Sequence, residues 1–216
     1  MVLKLYGFST SAATRRVAVV LLEKQVPFEF CVVRLDKGEQ RSETNLKHQP
    51  FGQVPYIDDD GFILYESRAI CRYIALKFAN QGTPLIPDGK DLKKLALFEQ
   101  TVSIEQSQLE PPAAQYVLEK IVKPMFGETP DEALVTKYCA NFRAKLDVYE
   151  KILSKQEYIG GDELTLADLF HLPYVMVLEG RDINTVESYP NLARWFGKLS
   201  ARPTWQKVLT GIESTV

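Results

Sequence analysis

The sequence predicts an α/β domain with a mixed four-stranded sheet, followed by an all-helical domain. Strand patterns alternate with helical patterns as far as Ser67, and no convincing strand pattern follows that residue in the 216-residue chain. The stretch 79–93, "ANQGTPLIPDGKDLK", is rich in Gly, Pro and polar residues, which is typical of a linker. We therefore expect a first domain over 1–80, a linker over 81–92 and a second domain over 93–216.

A βαβ unit opens the chain. "MVLKLYG" has the pattern of a buried strand, residues 14–24 have that of a helix, and "PFEFCVVRL" has that of a second strand. Two strands joined in this way are usually parallel, with a right-handed crossover. "VPYIDD" and "FILYES" then flank Asp60-Gly61, a dipeptide that tolerates the positive φ of a tight hairpin turn. This half of the sheet is therefore expected to be antiparallel.

Helical patterns account for most of the remaining chain. Ser67 is expected to cap a helix whose apolar positions follow helical spacing: Ile70, Tyr73, Ile74 and Phe78. Beyond the linker, helical patterns cover about 91–123 with an interruption at Pro111-Pro112, then 131–154, 165–178, 190–201 and 203–213. "TLAD" at 165–168 has the spacing of a capping box, which predicts a helix start. This order of elements is that of a thioredoxin-like domain with a helical partner.

Composition argues against several classes of function. Twenty-six Lys and Arg against 28 Asp and Glu give a net charge of -2 and a pI near 5.8, so no positive excess favours nucleic acid or an anionic membrane. Cys31, Cys71 and Cys139 form no Cys-x-x-Cys pair, and His48 and His171 are isolated, so we expect neither a disulfide framework nor a metal site. "VLKLYG" after Met1 resembles neither a signal peptide nor a membrane span. We therefore expect a cytoplasmic protein.

The stretch Phe51–Ile70, "FGQVPYIDDDGFILYESRAI", has features of a peptide-binding edge. Pro55 cannot donate a ladder hydrogen bond, and a cis Val54-Pro55 bond would turn the Val54 backbone toward an extended ligand; a trans bond is the alternative. The N-terminus of the Ser67 helix favours a carboxylate, and Glu66 beside it could hold an ammonium group. These features predict a receptor for a small peptide that carries both groups close together, as in a γ-glutamyl group.

Five segments together resemble the cytosolic glutathione transferases, most nearly the phi class: "STSAATRR", "GEQRSE", "PFGQVP", "YESRAI" and "TLADLFHLP". The resemblance covers nearly the whole chain. It implies a glutathione site made of Ser11, Gln40, Arg41, Gln53, Val54, Pro55, Glu66 and Ser67. In that site Ser11 lies at the thiol, Arg41 near the glycyl end, Gln53 and Val54 along the peptide backbone, and Glu66 with Ser67 at the γ-glutamyl end.

The chain departs from the phi pattern at three positions. Gln40 stands where phi members often carry a histidine, and Gln49 replaces the usual asparagine before Pro50. The first difference bears on contact with the glycyl end. Ser9 adds a second hydroxyl to the loop that holds Ser11. The identity of the catalytic hydroxyl is therefore open at this point.

Ser11 has the chemistry that a glutathione transferase needs. The thiolate is the nucleophile, and a free thiol of this kind has a pKa of about 8.5. Lowering that pKa by about two units needs roughly 2.7 kcal/mol, while one hydrogen bond to a charged group supplies about 1.5–3 kcal/mol. Ser11, just before the 14–24 helix, would supply such a bond together with the helix dipole. The alternative is that Ser11 only caps the helix.

Arg15 and Arg16 lie in the first turn of the predicted helix, where positive charge opposes the dipole. We expect a compensating role for them. Either they pair with acidic residues of the second domain, or they add positive potential near the bound anion.

The electrophile is expected to bind in an apolar pocket between the domains. Leu118, Val122 and Phe126 recur at four-residue spacing and so share one face of a helix. The resemblance places that face over the thiol, together with Ala12 and Leu35. Packing in the core of the helical domain is the alternative for the three helical residues.

Three functions remain open from the sequence. The first is an enzyme of detoxification that conjugates glutathione, a co-substrate rather than a cofactor, to hydrophobic electrophiles, with peroxidase activity toward organic hydroperoxides as a second activity. The second is a carrier of apolar ligands, and the third is a scaffold of the kind found in translation elongation complexes. The resemblance also implies a two-fold homodimer, in which the "PFG" loop at 50–52 reaches the partner subunit.

Overall fold

The computed structural model describes residues 2–178 and 188–216. The chain divides into two compact units, one made of Met1–Ile86 with Ala201–Val216 and the other of Pro87–Ser200. The division at 1–80, 81–92 and 93–216 stays a prediction. Nothing in the sequence predicted that residues 201–216 pack with the first unit.

A four-stranded mixed sheet forms the centre of the first unit. Its strands are β1 (Leu3–Gly7), β2 (Phe28–Val32), β3 (Tyr56–Asp59) and β4 (Phe62–Tyr65), in the order β2-β1-β3-β4. β1 is parallel to β2 and antiparallel to β3, and β3 is antiparallel to β4. Asp60 and Gly61 both have positive φ, 57° and 87°, in the turn between β3 and β4. The predicted mixed sheet is confirmed.

The helices follow the predicted pattern closely. Among the described residues they are, in chain order, α1 (Ala12–Glu23), α2 (Glu43–Leu46), α3 (Ser67–Lys77), α4 (Leu92–Ile104), α5 (Glu110–Val117), α6 (Lys123–Met125), α7 (Glu132–Leu153), α8 (Leu166–Leu178), α9 (Pro190–Ser200) and α10 (Pro203–Thr210). Leu35–Lys37 and Glu39–Arg41 form 3₁₀ turns. Helices α1 and α3 pack together, and Val17, Leu21, Ile70 and Ile74 on them are buried with Leu5 of the sheet.

The prediction that Ser67 caps α3 is wrong by one residue. Glu66 occupies the N-cap position with φ 69° and ψ 106°, and Ser67 is the first residue of the helix. A positive φ is uncommon in a residue other than Gly. Glu66 makes no side-chain capping bond, so the first N–H groups of α3 are not capped by it.

Among its described residues the second unit has helices and no strand, apart from an isolated antiparallel β-bridge between Tyr158 and Gly161. The path from α4 to α6 contains two wider, π-helical segments, Glu105–Leu109 and Leu118–Val122. The segment Glu105–Leu109 comes just before Pro111-Pro112. These two prolines have no N–H for an ordinary helical hydrogen bond, which accounts for the predicted interruption. No helix in the described part of the chain is long and apolar enough to cross a membrane.

The "TLAD" sequence begins α8 as predicted. The Asp168 carboxylate accepts hydrogen bonds from the backbone N–H of Thr165 at 2.9 Å and from its hydroxyl at 3.1 Å. It also accepts from Trp195 Nε1 at 2.9 Å and from the Ile159 N–H at 3.1 Å. Burial raises the pKa of Asp168 in spite of these donors. The carboxylate therefore joins three parts of the helical core, which is a structural role.

Candidate functional site

Three strands of the sheet, β1, β3 and β4, bring predicted site residues to one end of the sheet. Tyr6 near the end of β1 pairs with Tyr56 at the start of β3, and Tyr56 also pairs with Tyr65 at the end of β4. The loop after β1 carries Ser11, Pro55 directly precedes β3, and Glu66 directly follows β4. Three separate parts of the predicted glutathione site therefore converge at the same end of the sheet, although their sequence positions are far apart.

Ser11 lies at the N-terminus of α1 and is half-buried. Its hydroxyl oxygen accepts a hydrogen bond from the Thr14 N–H at the long distance of 3.4 Å. The turn is tight: a Cβ on Gly7 would lie 2.4 Å from Thr14 Cγ2, so only glycine fits there. A cap uses a lone pair of the hydroxyl and leaves its proton available to another acceptor. Helix capping and donation to a thiolate are therefore compatible roles for Ser11.

Other hydroxyls near Ser11 have different environments. Thr14 is fully buried, and its oxygen accepts from the Phe8 N–H at 3.3 Å. Ser9 accepts at its hydroxyl from the Ile212 N–H at 3.1 Å. The Tyr6 ring stacks on Tyr56 with 4.4 Å between centroids, and burial followed by the nearby Cys31 raises the pKa of Tyr6. Tyr6 therefore stays protonated at neutral pH. That Ser11, and not a neighbouring hydroxyl, donates to the thiol stays a prediction.

Arg16 connects the two helix N-termini of the site. Its guanidinium is buried, with 1% of the residue exposed, and Nη1 donates to Ser67 Oγ at 2.9 Å. The Cys71 thiol of α3 donates back to the Arg16 carbonyl, with 3.5 Å between sulfur and oxygen. Arg15 Nε donates to the Ser9 carbonyl at 3.0 Å. The sequence predicted neither of these arginine contacts: Arg15 bonds locally to the loop before α1, whereas the partner of Arg16 is 51 positions away.

The loop before β3 is held by Gln49. This residue is buried, and its side-chain oxygen accepts from the N–H groups of Phe51 at 2.8 Å and Gln53 at 3.3 Å. The Val54-Pro55 bond is cis, as predicted. Val54 makes no backbone–backbone hydrogen bond to another described residue. Gln53 is exposed, so the loop presents its side chain and the Val54 backbone.

Gln40 and Arg41 lie beside that loop. A Cβ on Gly52 would lie 3.2 Å from Arg41 Cγ and 3.5 Å from the Gln40 carbonyl oxygen. That carbonyl accepts from Asn45 Nδ2 at 2.8 Å, which holds the 3₁₀ turn in place. The Arg41 side chain is exposed. The structure thus brings the residues implied for the glycyl end next to those implied for the peptide backbone.

The predicted electrophile-binding residues divide between the two units. Ala12 and Leu35 are half-buried in the first unit. Leu118 and Phe126, in the second, are 41% and 63% exposed, and Val122 is half-buried. Core packing therefore does not account for Leu118 and Phe126. Leu118 and Val122 lie in a π-helical segment, so the α-helical spacing from which a shared face was predicted does not describe them.

Metal ligands are not grouped in the described part of the chain. Among residues 2–178 and 188–216, no three or more His, Cys, Asp or Glu side chains are placed to hold one ion.

Known proteins resemble the chain along nearly its full length. The family of the glutathione S-transferase N-terminal domain matches residues 5–82, and that of the C-terminal domain matches 109–203. Glutathione S-transferase hmp2 of Hypomyces subiculosus is 48% identical, with 96% of this chain and 97% of the relative covered. Glutathione S-transferase F11 of Arabidopsis thaliana is 44% identical, with 97% of this chain and 98% of the relative covered.

Solved structures share the fold. Glutathione transferase F7 from Populus trichocarpa has a TM-score of 0.92 at 37% identity, with 97% of this chain and 98% of that chain covered. Glutathione S-transferase I from mais, in complex with an atrazine glutathione conjugate, has a TM-score of 0.88 at 32% identity, with 97% of each chain covered. This chain therefore belongs to the glutathione S-transferase family, and its plant relatives place it in the phi class.

Proposed function

We propose that this protein conjugates glutathione to hydrophobic electrophiles and that Ser11 is its catalytic residue. The observation that carries the proposal is the position of the Ser11 hydroxyl. It lies at the N-terminus of α1, at the end of the sheet where the Pro55 loop and the start of α3 converge. The hydroxyl proton and the helix dipole both favour an anion there.

Glutathione would bind at this end of the sheet through its two carboxylates, its ammonium group and its peptide backbone. The γ-glutamyl carboxylate accepts from the first N–H groups of α3 and from the Ser67 hydroxyl, and Glu66 holds the ammonium group. The cysteinyl backbone pairs with Val54 beside Gln53 and Pro55, and Gln40 and Arg41 contact the glycyl end. Val54 supports this assignment because its backbone has no backbone partner within the described residues.

The reaction needs no further cofactor. The bound thiol releases its proton to solvent, and the thiolate sulfur forms a bond to the electrophilic carbon. With an aryl halide the carbon–halogen bond breaks and halide leaves; with an isothiocyanate the adduct nitrogen takes up a proton from water. The glutathione conjugate bound to the relative from mais supports this class of reaction.

The same thiolate would also reduce organic hydroperoxides. Its sulfur attacks the terminal peroxide oxygen, the O–O bond breaks, and the alcohol leaves after protonation. A second glutathione then displaces water from the sulfenic acid to form the disulfide. Ser11 would serve both activities because each depends on the same stabilised sulfur anion.

The electrophile would contact exposed apolar side chains. Leu118 and Phe126 support this role because they are large, apolar and exposed, and Val122, Ala12 and Leu35 complete the proposed set. These side chains include one aromatic ring among aliphatic and small groups, which favours a broad range of apolar substrates.

We also propose a cytoplasmic homodimer. Phe51 is 69% exposed at the tip of the loop that Gln49 closes. A large aromatic side chain held in a fixed loop is suited to insertion into a partner surface. In a two-fold dimer each subunit would offer the same loop to the other.

A panel of aryl halides, isothiocyanates and hydroperoxides, assayed with glutathione, tests the proposed activity. We expect turnover of at least one class, with loss of turnover in Ser11→Ala. The carrier function is the alternative, and it predicts tight binding of apolar ligands with a normal glutathione site but negligible turnover across the panel. That result would overturn the proposal.

A further inference from the structure

The C-terminal segment, residues 201–216, is held against the first unit at both of its ends. At its start, Arg202 donates from Nε and Nη2 to the two oxygens of the buried Glu23 carboxylate, each at 2.6 Å. Thr204 also donates to that carboxylate. Helix α10 then packs on α1 with Trp205 buried. This end of the segment is therefore fixed by charge-assisted hydrogen bonds and by apolar packing.

The far end of the segment follows the free edge of the sheet. β2 is an edge strand, and its N–H groups at Phe28 and Phe30 donate to the hydroxyls of Thr215 and Ser214, each at 2.9 Å. The Thr215 N–H donates to the Phe28 carbonyl at 2.9 Å. An edge strand has unpaired backbone groups, and the segment satisfies several of them.

Between these two anchors the segment contacts the loop that carries Ser11. Gly211 ends α10 with φ 136°, and the next residue, Ile212, donates its N–H to Ser9 Oγ at 3.1 Å while its side chain is buried. The Ser9 carbonyl accepts from Arg15 Nε of α1. Ser9 is thus held from two sides, by its side chain and by its backbone.

We propose that Ser9 is a positioning residue for the glutathione reaction: the hydrogen bond from Ile212 to Ser9 holds the 8–11 loop so that Ser11 presents its hydroxyl to the sulfur. This inference rests on the proposed role of Ser11. Ser9 lies two positions before Ser11 in the same loop, and the cap bond of Ser11 is long, at 3.4 Å. The loop therefore depends on contacts at its other residues to fix the Ser11 hydroxyl.

Two substitutions remove the same hydrogen bond from opposite sides. Ser9→Ala removes the acceptor, whereas Ile212→Pro removes the donor, because proline has no N–H. Each is expected to raise the pKa of the bound glutathione thiol by about half a unit, which lowers conjugation about threefold at a pH below that pKa. The KM for glutathione should stay within about twofold in both. Because the two act through one bond, the double variant should be no worse than either alone.

Three further variants are the controls. Ser9→Thr keeps the hydroxyl and should restore the wild-type titration. Ile212→Val keeps the N–H while changing the side chain, and Ser214→Ala removes a bond at the far end of the segment. Both should leave the thiol titration unchanged.

The titration of bound thiolate absorbance in these variants decides the proposal. A shift in Ser9→Ala without one in Ile212→Pro would mean that Ser9 acts on the sulfur directly, and the proposal would be wrong. No shift in either, with a large shift in Ser11→Ala, would also overturn it while leaving the proposed function intact. No shift in Ser11→Ala would instead overturn the proposed role of Ser11.

Amide hydrogen exchange tests the loop without reference to activity. In Ser9→Ala the amides of residues 8–12 and of Ile212 should exchange faster than in the wild type, while those of β3 stay protected. Unchanged exchange in this variant would contradict the proposal. This measurement remains decisive if Ile212→Pro does not fold.

Discussion

Arg16 Nη1 donates a hydrogen bond to Ser67 Oγ at 2.9 Å, and both residues are buried although 51 positions separate them. The bond joins the second turn of α1, the helix that Ser11 caps, to the first residue of α3. Two helix N-termini, whose dipoles favour anions, are thereby held at the same end of the sheet. The buried Arg16 guanidinium beside the start of α3 adds positive charge to the proposed site for a carboxylate and a thiolate.

Ser67→Ala should weaken glutathione binding by about tenfold, or roughly 1–2 kcal/mol, because it removes the proposed hydroxyl contact to the γ-glutamyl carboxylate. It should also lower the free energy of unfolding by about 1–3 kcal/mol, since Arg16 loses a buried acceptor. Calorimetric titration and denaturant unfolding measure the two effects. Ser67→Thr keeps the hydroxyl and is the control. Unchanged affinity in the alanine variant would contradict the assignment of Ser67 to the glutathione site.

Glu23→Gln should destabilise the protein at neutral pH by about 3 kcal/mol, because a buried acceptor of an arginine pair loses its charge. Burial opposes ionisation of Glu23, but hydrogen bonds from Arg202, Thr204 and Thr83 outweigh it and lower its pKa. A group whose pKa is lower in the folded than in the unfolded state stabilises the fold at pH values above its unfolded pKa. For a glutamate the unfolded pKa is about 4.3. The stabilisation is lost as the pH falls through the pKa of the folded state. The difference between wild type and variant should therefore shrink at acid pH.

Urea unfolding at neutral pH and at about pH 4 measures this difference. Glu29→Gln is the matched control: Glu29 forms an exposed pair with Lys4 at 3.8 Å, and such pairs contribute about 0–1 kcal/mol. A destabilisation of Glu23→Gln that does not depend on pH would mean that shape, not charge, decides the contribution of Glu23.

The sequence predicted the sheet, its mixed topology and nearly every helix, because those features depend on local periodicity and turn residues. Asp60-Gly61 is a clear case, since both residues take the positive φ that the dipeptide tolerates. The prediction of the α3 cap was wrong because Glu66 takes the N-cap position, although serine is a more usual capping residue. That choice is made by the link between β4 and α3, which local preference does not describe.

Contacts between distant segments were the part that the sequence could not predict. Gln49 was recognised only as a departure from the family pattern, yet its side chain holds the loop before Pro55. The bond between Ile212 and Ser9 joins residues that are 203 positions apart, and a backbone N–H leaves no signal in a sequence. Partners of this kind become visible only when the chain is folded.

Phe51→Asp should convert the proposed dimer to a monomer, because it places a charge on an apolar side chain that a partner would bury. The wild type should elute at about twice 24.5 kDa, and the variant nearer to 24.5 kDa. Size-exclusion chromatography with light scattering measures both. Phe62→Asp is a control on another exposed aromatic residue of the same unit, 48% exposed. Elution of the wild type as a monomer at micromolar concentration would rule out the dimer.

Ser11→Ala should raise the pKa of the bound glutathione thiol by about one to two units, or about 1.4–2.7 kcal/mol, while glutathione affinity stays within a few fold. The sign follows from the charge: the proposed hydrogen bond from the Ser11 hydroxyl stabilises the thiolate, so its removal favours the protonated thiol. Conjugation at about pH 6.5 should fall tenfold or more, and part of the loss should return toward about pH 9, where the thiol ionises without help.

Capping and catalysis by Ser11 can be separated with a second substitution. Replacing an N-cap serine by alanine costs about 1 kcal/mol of stability, whereas replacement by glycine costs only a few tenths. Ser11→Gly should therefore lose the same activity as Ser11→Ala with a smaller loss of stability, because neither variant has a hydroxyl. Thr10→Ala, at an exposed position of the same loop, should titrate like the wild type. If Ser11→Gly instead keeps the wild-type thiolate titration, the hydroxyl does not act on the sulfur, and Tyr6→Phe becomes the variant to titrate.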